Sequence, residues 1–248
     1  MHSPLEQFLI KSLIPLNLFG YDVAFTNATL FMLLAIVLTT LLMTVGFGTG
    51  RMVPTRMQML AESLYSLVSN MVDSAAGRKA RPFFPFIFTL FTFILIANML
   101  GMLPGSFTVT SQIIVTFAMA AFVFLMVTVT GFLKHGIHFF HLFVPKGSPA
   151  VLLPILFVLE LFSFLIRPFS LSIRLFANML AGHILMKVFA GMMVMLIGAL
   201  GTYGYVVGIL PTALNIFMVG FEFFVAFLQA YIFAILSSLY LRDALEMH

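Results

Sequence analysis

Glu160, Arg167 and Arg174 follow one another at intervals of seven residues, and Asn215, Glu222 and Gln229 repeat the same interval. Seven residues are nearly two turns of an α-helix, so each trio keeps to one side of its helix and drifts by about 20° per step. Asn178 lies one turn beyond Arg174, while Ser163 and Ser170 flank the stripe. His183 comes nine residues after Arg174, on nearly the opposite side of a helix of 3.6 residues per turn, with Lys187 one turn further. This helix therefore carries two polar faces. An arginine stays charged in a protein and cannot carry a proton back and forth. In a low-dielectric setting it favours the ionised form of any carboxylate that approaches it and repels a free proton. Glu160 sits about four turns away, so the acid expected to face Arg174 is one supplied by another subunit. Glu222 and His183 are different: desolvated and near one another, both can titrate and relay protons. The alternative is that these groups only pair and hold helices together, for example Glu222 with His183 or Lys187.

The segments that carry these residues are long and apolar. The stretch 150–189 has only Glu160, Arg167, Arg174, His183 and Lys187 as ionisable residues. As a helix it would be about 60 Å long, twice the thickness of a bilayer's hydrocarbon core. Pro168 would kink such a helix more readily than reverse it, so one long, tilted helix is expected rather than a hairpin. GALGTYGYVVG follows as a break, and 206–241 forms the last long apolar segment. Upstream, 24–47 is an uncharged run long enough to span. Residues 82–133 contain no charge, and LGMLPGSFT divides them into helices of about 83–101 and 111–133. In 52–76, Met57, Leu60, Leu64, Leu67 and Met71 recur at spacings of three and four, while Arg56, Glu62, Ser66, Asn70 and Asp73 fall elsewhere around the helix. That pattern predicts an amphipathic helix lying at the membrane interface. The expected fold is an all-α integral membrane protein, a single polytopic domain. It has about five membrane-embedded helices, the last two long and strongly tilted, and one interfacial amphipathic helix.

Composition supports the bilayer as solvent. Of 248 residues 62% are hydrophobic and 8% charged, and the mean hydropathy is +1.16. A water-soluble domain of this size needs more charge to cover its surface. The net charge of +4 does not point to nucleic acid, because Lys and Arg sit at the ends of apolar segments. They concentrate at 51–81, then at 134, 146 and 242, which places those loops and the C-terminus in the cytoplasm or matrix and the N-terminus outside. The start, MHSPLEQFLIKSLIPLNLF, lacks the pattern of a cleaved signal and is expected to remain. The absence of cysteine removes disulfides and thiolate chemistry. His135, His138 and His141 in HGIHFFH have no acid or thiol beside them, and an interfacial loop is expected there rather than a metal site. No phosphate-binding loop, nucleophile elbow or triad occurs. No cofactor and no catalytic site within this chain are expected.

Several stretches carry a family resemblance. RPFSLSIRLFANMLAGH at 167–183, with Glu160 before it and LQAYIFAILSSLYL at 228–241, resembles subunit a of the F-type ATP synthase. SPLEQF, ANMLGMLPGSFTVTS and HGIHFFHLFVPKGSP extend the likeness over nearly the whole chain, in an alphaproteobacterial or mitochondrial style. The resemblance implies a proton-translocating stator subunit with two offset half-channels that pass protons to and from carboxylates on a rotating ring of c subunits. It implies Arg174 as the fixed stator cation, Asn178, His183, Glu222 and Gln229 along the outer half-channel, and Glu160 with Ser163 towards the inner exit. The implied partners are the c ring, b-type subunits of the peripheral stalk, the rest of the complex and lipid. The implied location is an energy-coupling membrane, bacterial plasma membrane first and mitochondrial inner membrane second. In many bacterial relatives the acid stands at the position of His183 and the histidine at that of Glu222; here they are exchanged, which leaves the order of proton transfer open. A stand-alone secondary transporter using Glu222 and His183, and a purely structural membrane scaffold, are the other readings of the same residues.

Overall fold

A computed structural model describes residues 8–15, 17–18, 21–22, 24–48, 54–103, 105–143 and 153–246. His141 lies outside the residues whose side chains are described, as do SPLEQF up to residue 7 and the start of the 150–189 segment. Two small antiparallel ladders open the chain: β1 (Ser12–Ile14) pairs with β4 (Phe25–Thr26), and β2 (Asn17–Leu18) with β3 (Tyr21–Asp22). Everything after them is helical: α1 (Asn27–Phe47), α2 (Arg56–Ala76), α3 (Phe84–Gly101), α4 (Ile113–His135), α5 (Leu153–Leu200), α6 (Thr202–Val207) and α7 (Ile209–Leu245). Five of the described helical segments are long and apolar enough to cross a membrane.

The helix boundaries follow local chemistry. The hydroxyl of Thr26 accepts from the Thr29 backbone and starts α1, so residues 24–26 stay extended. Thr55 does the same for α2 through the Gln58 amide. The segment expected to end at 189 continues as one helix to Leu200, because Gly191 and Gly198 lie inside it without breaking it. The chain turns only at Gly201, where φ is +56°, a conformation that costs glycine little. Pro168 is accommodated within α5, so there is no hairpin. At about 1.5 Å per residue, 48 residues reach roughly 72 Å against a hydrocarbon core of about 30 Å. Such a helix must tilt steeply or project from the bilayer.

α7 is central, packing on α2, α3, α4 and α5. Its inner face carries Ala226, Ala230, Ala234 and Ser238, four residues apart and fully buried. Small side chains at that spacing let neighbouring backbones approach closely, which is how helices associate where lipid removes the hydrophobic drive between them. Phe91, Ile94, Leu175, Met179 and Phe233 fill the spaces around this stripe. The outside is apolar as well: Ile114 is 72% and Leu133 84% exposed, as expected of a lipid-facing surface.

α2 packs differently from its apolar stripe. Met57 and Leu60 are exposed, Leu64 and Leu67 half-buried and Met71 buried. The buried face is Gln58, Ala61, Val68, Met71, Val72, Ala75 and Ala76. Close approach decides this: a Cβ on Gly46 of α1 would collide with Ala61, so the small residues face the bundle and the large apolar ones face out.

Ion pairs gather at one end of the bundle. Arg81 grips Asp73 through two hydrogen bonds of 3.1 and 3.0 Å. Lys79 meets Glu246 at 3.1 Å, and Lys134 donates to the Leu245 carbonyl at 3.0 Å. The β-ladders, the 102–112 connection and α6 lie at the other end. The Arg81 hydrogen bonds hold the Asp73 carboxyl below its ordinary range, and Lys79 does the same for Glu246. A depressed carboxylate pKa adds stability that is complete above the unfolded-state value and is lost as pH falls through the folded value. Acidification below about pH 4 is therefore expected to loosen α2 from α3. Amide exchange in α2 should show less acid dependence in Asp73→Asn; an unchanged profile would mean that the pair does not hold this junction.

Candidate functional site

α5 shows one buried stripe and one outward side. Phe164, Pro168, Leu171, Ser172, Leu175, Met179 and His183 are buried, each three or four residues from the next except for the adjacent pair 171–172. Arg174 and Ser163 are exposed, and Glu160, Arg167 and Asn178 are half-buried. The two polar faces expected from the spacing thus point one into the bundle and one out of it.

The inward face ends in a buried pair. His183 is 4% exposed and Glu222 of α7 3%. The imidazole Nδ1 lies 2.5 Å from Glu222 Oε1 and 2.9 Å from the Met179 carbonyl one turn back. The Glu222 oxygens nevertheless have no hydrogen-bond donor properly aligned with them, so the contact is a close approach of ionisable groups rather than a directed bond. The other nitrogen, Nε2, sits 2.8 Å from the Thr108 hydroxyl and 2.9 Å from the Gly101 carbonyl. Both ring nitrogens therefore face a carbonyl oxygen. A neutral ring can donate to one of them and a charged ring to both, so the pocket offers a partner to either state.

Glycine makes room for this pair. A Cβ on Gly182 would lie 2.7 Å from Glu222 Oε1 and 2.8 Å from its Cδ, and one on Gly101 would lie 2.6 Å from the Thr108 methyl. Neither glycine needs an unusual backbone angle; the close approach alone excludes a side chain. Gly182→Ala is expected to displace the Glu222 carboxyl, with an overpacking penalty of about 1–3 kcal/mol, and to reduce proton flux through the assembled membrane sector. Unimpaired flux in that variant would show that the carboxyl's position is not critical.

Glu222 also borders a crevice of about 360 Å³ between α5 and α7, together with Asn178, Gly182 and Gln229. Four of the expected residues, Asn178, His183, Glu222 and Gln229, are thus gathered around one site. Arg174, Glu160 and Ser163 do not line it. Among the described residues no acid pairs with Arg174 and no hydrogen bond reaches its guanidinium. Arg167, one repeat earlier, is held: its Nη1 meets Asp243 Oδ2 at 2.9 Å, and it lies over the rings of Phe164 and Tyr240.

Sequence spacing did not reveal the partners of His183. Thr108 and the Gly101 carbonyl come from the connection after α3 and lie more than seventy positions away. Phe8, from the start of the chain, sets its ring edge-on to His183 at 6.2 Å and receives the Lys187 ammonium at 5.8 Å. Asn98 of α3 is buried and donates to the Ala226 carbonyl at 3.1 Å. Asp243 was passed over as part of a charged tail. His135 and His138 join no group of three or more His, Cys, Asp or Glu residues among the described residues.

The family model described as ATP synthase A chain matches residues 28–242. A protein of Parvibaculum lavamentivorans named ATP synthase subunit a is 52% identical over 244 residues, covering 98% of this chain and 94% of its own. One of Maricaulis maris with the same name is 50% identical over 251 residues, covering 98% and 97%. With a buried His183–Glu222 pair, an outward arginine lacking an acid, and identity at this level across nearly its full length, the chain belongs to the ATP synthase subunit a family.

Proposed function

We propose that this chain is the stationary half of a rotary proton path. Two offset half-channels along α5 and α7 deliver protons to carboxylates on a ring of c subunits and take them away. The family supports a role in the proton-translocating membrane sector of an F-type ATP synthase, a membrane subunit without a catalytic site of its own. Arg174 carries the finer reading: it is an exposed cation on the outward side of α5 to which this chain offers no acid. An arginine within an apolar segment costs about 2.5–3.5 kcal/mol on insertion scales, so it calls for a counter-charge. A carboxylate passing on a neighbouring rotor supplies that charge transiently.

In this reading Asn178, His183, Glu222 and Gln229 belong to the outer half-channel. Glu222 and His183 exchange a proton across their close contact, and Asn178 and Gln229 supply polar groups on the way to Arg174. Glu160 and Ser163 stand towards the inner exit, on the side of the Arg167–Asp243 pair. Arg174 keeps the approaching ring carboxylate ionised and prevents protons from crossing directly between the two half-channels. The steeply tilted α5 and α7 form the ring-facing surface, b-type stalk subunits hold the chain in place, and the bacterial plasma membrane is the site of action. One proton crossing 100 mV releases about 2.3 kcal/mol, too little for one ATP, so rotation must sum several steps.

Liposome reconstitution tests this. The chain alone should drive no proton-coupled solute uptake, whereas the assembled complex should couple proton flow to ATP. Rapid solute uptake by the isolated chain would identify a transporter instead.

A further inference from the structure

Protons must reach the buried His183 from the outer surface, and two ways are visible. The α5–α7 crevice is walled mainly by Leu185, Met218, Phe221, Val225, Leu228 and Ile232. The second is a cavity of about 220 Å³ between the N-terminal segment and the turn after α3, bordered by Lys11, Asn27, Gly105, Ser106 and Phe107 among others. Its wall is polar, and it is built by long-range contacts. The Asn27 side chain bonds the backbone of Leu9 at 3.1 Å and of Lys11 at 3.2 Å, and Gln112 Nε2 bonds the Phe8 carbonyl at 3.0 Å. Gly105, with φ at +82°, makes the turn that brings Ser106 to the cavity.

Ser106 connects this cavity to the buried histidine. Its hydroxyl lies 3.0 Å from the Gly101 carbonyl and 2.6 Å from that of Leu103. The same Gly101 oxygen is 3.2 Å from the Thr108 hydroxyl and 2.9 Å from His183 Nε2. Ser106 touches the cavity, Thr108 touches the imidazole, and both are anchored on one carbonyl oxygen. Phe8 meanwhile covers another side of the ring, between His183 and Lys187.

The geometry points to this cavity as the outer mouth of the proton path, a water site from which Ser106 and Thr108 lead to His183 Nε2, with Phe8 sealing the side of the ring towards Lys187. The inference rests on the proton-path reading above and specifies where that path opens. A proton arriving on water at Ser106 is passed to the Thr108 hydroxyl. Thr108 takes it up as its own proton moves to the Nε2 lone pair, leaving the hydroxyl neutral and the ring charged beside Glu222. Hydroxyls suit this role because each both donates and accepts.

The chain has no cysteine, so a single introduced thiol is unique within it. In the assembled complex, Ser106→Cys is treated from the N-terminal side with a membrane-impermeant methanethiosulfonate, and passive proton flux through the membrane sector is measured. Untreated Ser106→Cys sets the baseline, and wild-type complex treated alike accounts for thiols of other subunits. Modification should lower flux about tenfold or more, and a reducing agent should restore it, which structural damage would not allow. Tyr203→Cys, 80% exposed on α6 at the same end, should label without effect. If Ser106→Cys does not assemble, Lys11→Cys on the rim takes its place with the same expectation. Complete labelling with undiminished flux overturns the assignment, as does equal block at Tyr203→Cys. Glu222→Gln in the same membranes separates the two levels: if flux needs Glu222 but passes a blocked Ser106, only the mouth is misplaced. If flux ignores Glu222 as well, the proton-path reading itself fails.

Discussion

Arg174→Ala is expected to give a complex that assembles but neither makes ATP from a proton gradient nor pumps protons when supplied with ATP. Arg174 lies on the exposed side of α5 and makes no hydrogen bond or ion pair with the described residues, so its removal leaves no partner stranded inside this chain. The buried stripe from Phe164 to His183 that holds α5 in the bundle stays intact. What is lost is the interaction with a passing carboxylate. A stabilisation of about 3 kcal/mol in that encounter is worth roughly a hundredfold in the ionised population. Without it the carboxylate stays protonated past the point of release, and nothing separates the two half-channels. Passive proton leak should therefore rise or persist while coupled transport disappears. Arg174→Lys probes the geometry: a compact ammonium keeps the charge but not the planar fork that matches a carboxylate, so recovery should be small. Normal ATP-driven pumping by Arg174→Ala in sealed vesicles would contradict the role given to this residue.

Glu222→Gln is expected to lower proton flux on the order of a hundredfold, in the range of losing one positioned acid–base group, with assembly disturbed far less. The amide has nearly the shape of the carboxyl, so the tight fit against Gly182 is kept, but it cannot take up or release the proton held near His183 Nδ1. Removing His183 should act on the same step, so the double variant should lose little beyond the worse single one. The reciprocal exchange, Glu222→His with His183→Glu, restores one acid and one base across the same contact and should recover part of the flux. A Glu222→Gln complex with unimpaired flux but poor assembly would show that the pair merely holds α5 to α7.

These expectations draw on different levels of the molecule. The seven-residue spacing of Glu160, Arg167 and Arg174, and the nine residues from Arg174 to His183, follow from helix geometry alone, and the observed helix keeps them on the sides that geometry dictates. The apolar segments and the clustering of basic residues are likewise local properties, and lipid as solvent enforces them residue by residue. Boundaries were less legible. Thr26 and Thr55 moved helix starts inward through caps, and α5 ran through two glycines because neighbouring turns support them.

The buried face of α2 was not legible from its apolar stripe. In a lipid setting both large and small residues find apolar surroundings, so periodicity cannot tell bundle from bilayer. The fit of Ala61 against Gly46 decides that face. The pairing of His183 with Glu222, rather than of Glu222 with Lys187, was also settled only in three dimensions, by the crossing of α5 and α7 and the gap left by Gly182. By itself the sequence determined an all-α membrane chain with one polar face carrying an arginine and another carrying a histidine. Only the tertiary structure decided which groups meet, because Thr108, Gly101 and Phe8 reach His183 through contacts across at least 75 positions of chain, and no helical periodicity extends that far.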